Sequence, residues 1–235
     1  MVTSKRDSRH RRSPVEALQF SATCRACPRI VAHLASVCTR HPDYHAGPVA
    51  PFGDARARFL VVGLAPGLHG ANRTGRPFTG DFAGELLYAT LHRHGFASQP
   101  WARSAGDGLQ LLGCRITNAV KCLPPQNKPE AGEVSRCNAY LRGELAALPP
   151  AAAILALGRI AHAAILKALL LPQQAYPFAH GAQFRLPAGL KLYDSYHCSR
   201  YNTQTRRLTA AMFEEVVGAI ARDLAASSPD QPRRL

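Results

Sequence analysis

Acidic residues are scarce in this chain. Its 235 residues carry 15 Asp+Glu against 29 Lys+Arg, a formal charge of +14. Few of those carboxylates lie near the motifs described below. A metal-assisted phosphate-processing enzyme, which gathers carboxylates around its ions, is therefore a poor fit. Long apolar runs are also missing. The first twenty residues lack the apolar core of a secretory peptide. The most apolar stretch, Ala151 to Leu171, is interrupted by Gly158, Arg159, His162 and Lys167, which reads as a strand turning into a helix and not as a membrane span. A cytoplasmic location is expected. In that reducing compartment the seven cysteines are not expected to form a disulfide framework. No internal repeat is present.

The excess of positive charge favours a polyanionic partner, and nucleic acid is the usual one. Residues 1–14 hold Lys5, Arg6, Arg9, Arg11 and Arg12 against Asp7, and read as a disordered basic tail. Residues 227–235 read as a second disordered tail. Residues 15–226 are expected to form one domain, long enough for a full core.

Within that domain the apolar runs Phe59–Leu64, Cys114–Val120, Ala152–Leu157 and Leu190–Tyr196 read as buried strands. Helical spacing of apolar residues marks Gly84–His94, Glu133–Leu148, Arg159–Leu170 and Thr209–Ala226. Residues 15–58 are left for an N-terminal helix and a long lead-in loop. Strands alternating with helices predict an α/β fold, a three-layer sandwich whose central four-stranded parallel sheet is flanked by helices on both faces. Ligand sites in such sheets lie at the carboxyl ends of the strands.

Three polar segments fall at those ends. The first, Gly63-Leu64-Ala65-Pro66-Gly67-Leu68-His69-Gly70-Ala71-Asn72-Arg73-Thr74-Gly75-Arg76-Pro77-Phe78-Thr79-Gly80-Asp81, has five glycines that let backbone approach a ligand closely. Its two arginines suit phosphate. The second is Asn118-Ala119-Val120-Lys121-Cys122-Leu123-Pro124-Pro125. The third runs from His197 through Ser199, Asn202 and Thr205 to Arg207-Leu208. In residues and spacing the first run resembles the opening motif of the uracil-DNA glycosylase superfamily in its family 5 form. The second resembles that family's Val-Lys-Cys-x-Pro-Pro, and the third its His-Pro-Ser-x-x-Asn-x-x-Thr-x-Arg-Leu. Cys198 replaces the proline, and Arg206 stands where glycine is common. The resemblance covers about residues 20–225 and implies a monofunctional glycosylase that acts on uracil and related damaged bases in DNA, as a monomer.

Such an enzyme must take its base out of the duplex, stack it, read its edge and break the glycosidic bond. The resemblance assigns base binding to Gly63, Ala65, Phe78 and Asn118, with His180 as a second cleft candidate. Phe78 would stack on the base. The amide of Asn118 offers a donor and an acceptor to the uracil edge. His197 would stabilise the departing base with a proton donor. Other families carry a polar residue where this chain has Ala65. The resemblance implies that the polar catalytic group is moved to Asp81, which also suits a helix N-cap, or is less needed. Arg73, Ser199, Asn202 and Arg207 would grip DNA, with Tyr201 a candidate wedge. Lys121 is the one lysine near enough to consider as a Schiff-base nucleophile, and no lyase step is expected.

Cys24 and Cys27 form a C-x2-C pair; Cys122 and Cys137 lie almost a hundred residues on. Four thiolates can bind zinc or an iron–sulfur cluster. The order of the four resembles the [4Fe–4S] ligands of family 4 and 5 glycosylases, with Cys38 a plausible substitute. A non-catalytic iron–sulfur or zinc module that binds nucleic acid is the alternative.

Overall fold

The four apolar runs become four parallel strands in a computed structural model that describes residues 19–54 and 56–227. In chain order the strands are β1 (Phe52–Gly53), β2 (Phe59–Gly63), β3 (Cys114–Asn118), β4 (Ala153–Leu157), β5 (Gln183–Arg185) and β6 (Lys191–Ser195). They make one sheet in the order β1-β3-β2-β4-β6-β5. The inner four are parallel, as their near-continuous apolar sequences require when both faces are covered. Every residue of β2 and β4 is buried.

The expected four-stranded sheet is corrected to six. The additions, β1 and β5, pair antiparallel at the two edges. They are two and three residues long and lack the apolar density of the inner strands. Short antiparallel edge strands blunt a sheet that would otherwise offer a long open edge.

Helices α1 (Pro28–Arg40), α2 (Ala71–Thr74), α3 (Phe82–Arg93), α4 (Ala131–Ala146), α5 (Arg159–Ala168), α6 (Arg200–Gln204) and α7 (Ala210–Ala226) complete the fold. Alternate residues of β2 divide the core between the two faces. Phe59 and Val61 pack with Leu87, Leu91, Phe213 and Val217 of α3 and α7. Leu60 and Val62 pack with Leu141, Leu145, Ile165 and Leu166 of α4 and α5. A third cluster joins Ile30, Leu34 and Val37 of α1 to Val120, Leu123 and Cys137.

Local chemistry sets the helix starts. Asp81 caps α3 by accepting from the Gly84 N–H at 2.9 Å, and Thr209 caps α7 by accepting from Met212. Glu130 and Glu133 form a capping box on α4. Arg29 reaches from α1 to the Glu133 carboxylate at 2.7 Å, so the N-terminal helix is tied to the body. No helix among the described residues is long and apolar enough to cross a membrane. Residues 1–14 and 228–235 lie outside the described residues. Ser227, assigned by sequence to the second tail, instead closes α7, donating from its hydroxyl to the Asp223 carbonyl at 2.7 Å.

Candidate active site and cysteine pocket

The parallel strands end side by side, Gly63 paired with Asn118. Above them opens a cavity of about 370 Å³, lined by Leu64, Ala65, Gly67, Ala71, Phe78, Asp81, Ala83, Asn118, Asn127, His197 and Ser199. Six residues predicted from sequence thus share one cavity: Ala65, Phe78, Asp81, Asn118, His197 and Ser199. Its size suits a single base and sugar. Gly63 lies beneath. A Cβ there would strike the Asn118 Oδ1 and sit 2.5 Å from the Phe78 ring. Glycine is what lets those two side chains meet over the strand end.

Phe78 adopts a left-handed backbone, φ 52°, which is strained for an aromatic residue. The turn is held from below. The Tyr88 hydroxyl donates to the Pro77 carbonyl at 2.8 Å, and Gly84 leaves room for the Phe78 carbonyl. The ring faces the His197 imidazole, centroids 5.9 Å apart and planes 29° from parallel. Asn118 is 3% exposed, and its Oδ1 has no hydrogen-bond partner among the described residues. A buried acceptor left unmatched costs about 1–3 kcal/mol. That cost at a cavity wall marks a place for a donor from outside the chain.

Asp81 holds two roles with two oxygens. Oδ1 caps α3. Oδ2 turns toward the glycine run, 3.7 Å from where a Cβ on Gly67 would stand, and a Cβ on Gly70 would overlap it. Burial raises its pKa above the ordinary carboxylate range, opposed by the Gly84 and Ala83 N–H groups. His197 moves the other way. Burial alone lowers its pKa to about 4, so the ring is neutral near pH 7 and keeps one N–H. Its backbone is fixed by Asn202, whose Nδ2 donates to the His197 carbonyl at 2.9 Å.

Several sequence-predicted residues are placed differently. Arg76, one of the two arginines read as suited to phosphate, is 4% exposed; its guanidinium pairs with Asp107 at 2.8 Å and covers the Phe52 ring. It builds the loop and does not face solvent. Arg73 bridges the same loop, donating to the His69 carbonyl at 2.7 Å and the Gly80 carbonyl at 3.4 Å. His180 does not line the cavity. Its Nδ1 accepts from the Tyr196 N–H at 3.2 Å and its ring stacks on Tyr196, which terminates β6. Ser199 caps α6 by accepting from Asn202 at 3.4 Å. Arg207 lies over the Tyr196 ring at 4.7 Å. Tyr201 is 71% exposed. Lys121 is 2% exposed and held by Glu144 at 2.7 Å and the Asn118 carbonyl at 2.9 Å. It lines the cysteine pocket, not the cleft.

Sequence reasoning missed Asn127. It reaches the cavity from a 3-10 turn, Pro125–Asn127, with φ 56°. The signal was present: an Asn two residues after a Pro-Pro pair tolerates the left-handed region better than most residues.

A second cavity lies between α1 and α4. Cys24, Cys27, Cys122 and Cys137 all line it, with Ile30, Leu34, Arg136 and Tyr140 among the surrounding residues. The Lys121 backbone N–H donates to the Cys137 sulfur at 3.2 Å. Among the described residues no group of three or more His, Cys, Asp or Glu side chains is gathered closely enough to hold a single metal ion. Cys38 is exposed and lines an adjoining cavity that it shares with Cys24.

A sequence model of the uracil DNA glycosylase superfamily matches residues 50–221. A type-5 uracil-DNA glycosylase of Thermus thermophilus is 49% identical over 205 residues, covering 85% of this chain and 93% of the relative. One from Pyrobaculum aerophilum is 43% identical, covering 85% and 88%. One from Mycobacterium leprae is 42% identical, covering 83% and 89%.

Proposed function

The chain belongs to the uracil DNA glycosylase superfamily, and from that membership we propose a mechanism for uracil excision by its own residues. It is a hydrolase of N-glycosyl bonds that removes uracil from DNA and leaves an abasic site. The observation that carries the site assignment is the unpartnered, buried Oδ1 of Asn118, in one cavity with Phe78, Asp81 and His197. Uracil presents N3–H to that oxygen and O4 to the amide nitrogen, an edge that cytosine does not offer. Phe78 stacks on the base.

As the N1–C1′ bond breaks, the bonding electron pair leaves with uracil and charge gathers on O2. A donor fixed at that point before reaction is worth about 3–4 kcal/mol. The neutral His197 ring supplies it. Water attacks C1′ and forms the new C–O bond. Asp81 Oδ2 orients that water, balances the positive charge of the oxocarbenium-like sugar and takes the proton the water loses, which passes on to the departed uracil anion. The Lys121 ammonium is buried and held by Glu144 and the Asn118 carbonyl, which favours hydrolysis without a lyase step.

We assign a [4Fe–4S] cluster to Cys24, Cys27, Cys122 and Cys137. Four thiols line one cavity, and a backbone N–H already points at one sulfur, as it does toward thiolates. Tetrahedral zinc would draw its sulfurs to within about 4 Å of one another, whereas a cluster spans a wider set. The cluster would be structural, tying α1 to the body. Iron and acid-labile sulfide near four per chain are expected; stoichiometric zinc in their place would refute the assignment.

The functional test is single-turnover excision on a labelled duplex with one U·G pair, followed by alkaline cleavage. Asp81→Ala and His197→Ala are each expected to slow the step about 10²–10³-fold. Wild-type rates in both variants would remove these two residues from the mechanism. Absence of any cut by the wild type would remove uracil as substrate.

A further inference from the structure

The loop between α3 and β3, residues 94–113, takes no part in the mechanism above, yet it is built more rigidly than a connection needs. Ser98 and Gln110 bond across it, Leu112 donates to the Phe96 carbonyl at 2.9 Å, and Ala97 and Leu111 form an isolated bridge. Asp107 is its hub. Its carboxylate accepts from the Arg103 N–H at 2.7 Å, from Ser104 at 3.3 Å and from Leu109 at 3.1 Å, and pairs with the buried Arg76.

This scaffold holds out Trp101, the chain's one tryptophan, 49% exposed, with the exposed Arg103 guanidinium 5.7 Å from its ring centroid. Solvent alone gives no reason to fix a large aromatic ring in that position. The place is informative. Gly80 donates to the Ala102 carbonyl at 2.9 Å, so Trp101 and Arg103 flank the residue that leans on the cleft rim directly before Asp81. On the other side of Asp81, Phe82 lies under Arg200 of α6, 5.2 Å away. Asp81 is thus bracketed by two exposed arginines, each over an aromatic ring.

We propose that the Trp101–Arg103 segment is a second DNA-gripping rim, opposed to α6 across Asp81. Arg103 meets a backbone phosphate, and the exposed face of Trp101 packs on the sugar and base next to the flipped nucleotide. The partner is duplex DNA, argued from continuity with the cleft, the arginine charge and the aromatic face, a combination that suits nucleic acid. The inference rests on the glycosylase reading, because DNA must lie across that rim.

Trp101 also supplies its own probe, since tryptophan emission from this protein comes from this one side chain. The holoprotein is titrated with a duplex carrying a tetrahydrofuran abasic analogue. Saturable quenching or a spectral shift is expected, reversed by salt. Half-saturation is read for wild type and each variant from the anisotropy of a dye-labelled duplex: Trp101→Ala is expected to raise the half-saturating concentration about tenfold, with Trp101→Phe restoring most of it. Arg103→Ala is expected to lower the slope of log affinity against log salt by about one. Emission unchanged at saturating DNA, with unchanged half-saturation in Trp101→Ala, overturns the inference even if wild type excises uracil. Failure of wild type to excise uracil while emission still responds overturns the glycosylase reading and leaves the DNA contact supported.

Discussion

In the run after β2 one arginine turns into the protein and the other, though exposed, is tied to carbonyls of its own loop; in the loop after β6 the arginines turn out. Arg76 is buried on Asp107 and Arg73 bonds two carbonyls of its own loop. Arg200, Arg206 and Arg207 are exposed, two of them resting on aromatic faces. The first loop is therefore a preformed wall that sets Phe78 and Asp81, and the second is a charged edge ready for phosphate. Preorganisation is where electrostatic catalysis draws its strength, and exposed charge is where DNA affinity does. Equal residue types at two strand ends do different work because Arg76 has the Asp107 carboxylate to meet and the arginines after β6 pair with none among the described residues.

The sharpest way to break this contrast is to remove one arginine from each loop. Arg76→Ala leaves the Asp107 carboxylate with backbone partners only. Desolvation pushes that carboxyl's pKa up, but Arg76 and the N–H groups of Arg103, Leu109 and Ser104 outweigh it and hold it well below the usual range. Loss of a buried pair partner costs about 3 kcal/mol, a fall in Tm on the order of 10 °C. Arg207→Ala should leave Tm within experimental error. It should instead weaken DNA binding several-fold and lower the salt slope by about one. Thermal melts and salt titrations of both variants decide it; a stable Arg76→Ala protein with weakened DNA binding would reverse the assignment of the two loops.

The pH profile separates the loops by their titratable groups. Asp81, from the first loop, has a raised pKa and His197, from the second, one lowered to about 4. Both must be in their basic forms, carboxylate and neutral imidazole. Single-turnover excision is therefore expected to fall as pH drops through the raised Asp81 value, by up to tenfold per unit, with no added break from His197 near 6.5. A break near 6.5 that disappears in His197→Gln would show an accessible, ordinary histidine. Stability carries the same signature. The folded pKa of His197 lies below the unfolded value, so its contribution is intact above about 6.5 and is lost as pH falls toward 4. His197→Gln should flatten that part of the acid limb in a denaturation series.

The contrast also explains what could be read in advance. The four inner strands and the long helices follow from apolar period and length, since burial on both faces leaves no other pattern for β2 or β4. The cavity residues Phe78, Asp81, Asn118 and His197 follow from strand ends and motif spacing. Side-chain direction does not. Arg73, Arg76, Ser199 and Asn202 all look like phosphate ligands in a string of letters. Their first partners prove to be nearby loop carbonyls for Arg73 and Asn202, a helix N–H for Ser199 and, for Arg76 alone, a carboxylate far along the chain. Asp107 lies 31 residues from Arg76, and no local pattern joins them. His180 likewise bonds the backbone at the end of β6, a partner that no local pattern announces. The two edge strands are too short for any period to register.

The smallest expected effect tests the comparison most finely. In the first loop two of the three left-handed positions, Gly75 and Gly80, φ 75° and 76°, carry glycine, and the third is the cavity residue Phe78. In the second the left-handed position is Arg206, φ 56°, with its N–H donating to the Thr203 carbonyl at 3.2 Å. A non-glycine residue in that region costs about 1 kcal/mol or more. Glycine relieves it but adds unfolded-chain entropy of about 0.5–1 kcal/mol. Arg206→Gly should thus be neutral to slightly stabilising, by no more than about 1 kcal/mol. The same change removes one exposed charge, so DNA affinity should fall and the salt slope should drop by about one. Stability and affinity moving in opposite directions would mean that this loop tolerates backbone strain to keep an arginine facing DNA. A variant that loses stability and keeps its salt slope would instead make Arg206 a packing residue, and the loop after β6 would then resemble the loop after β2.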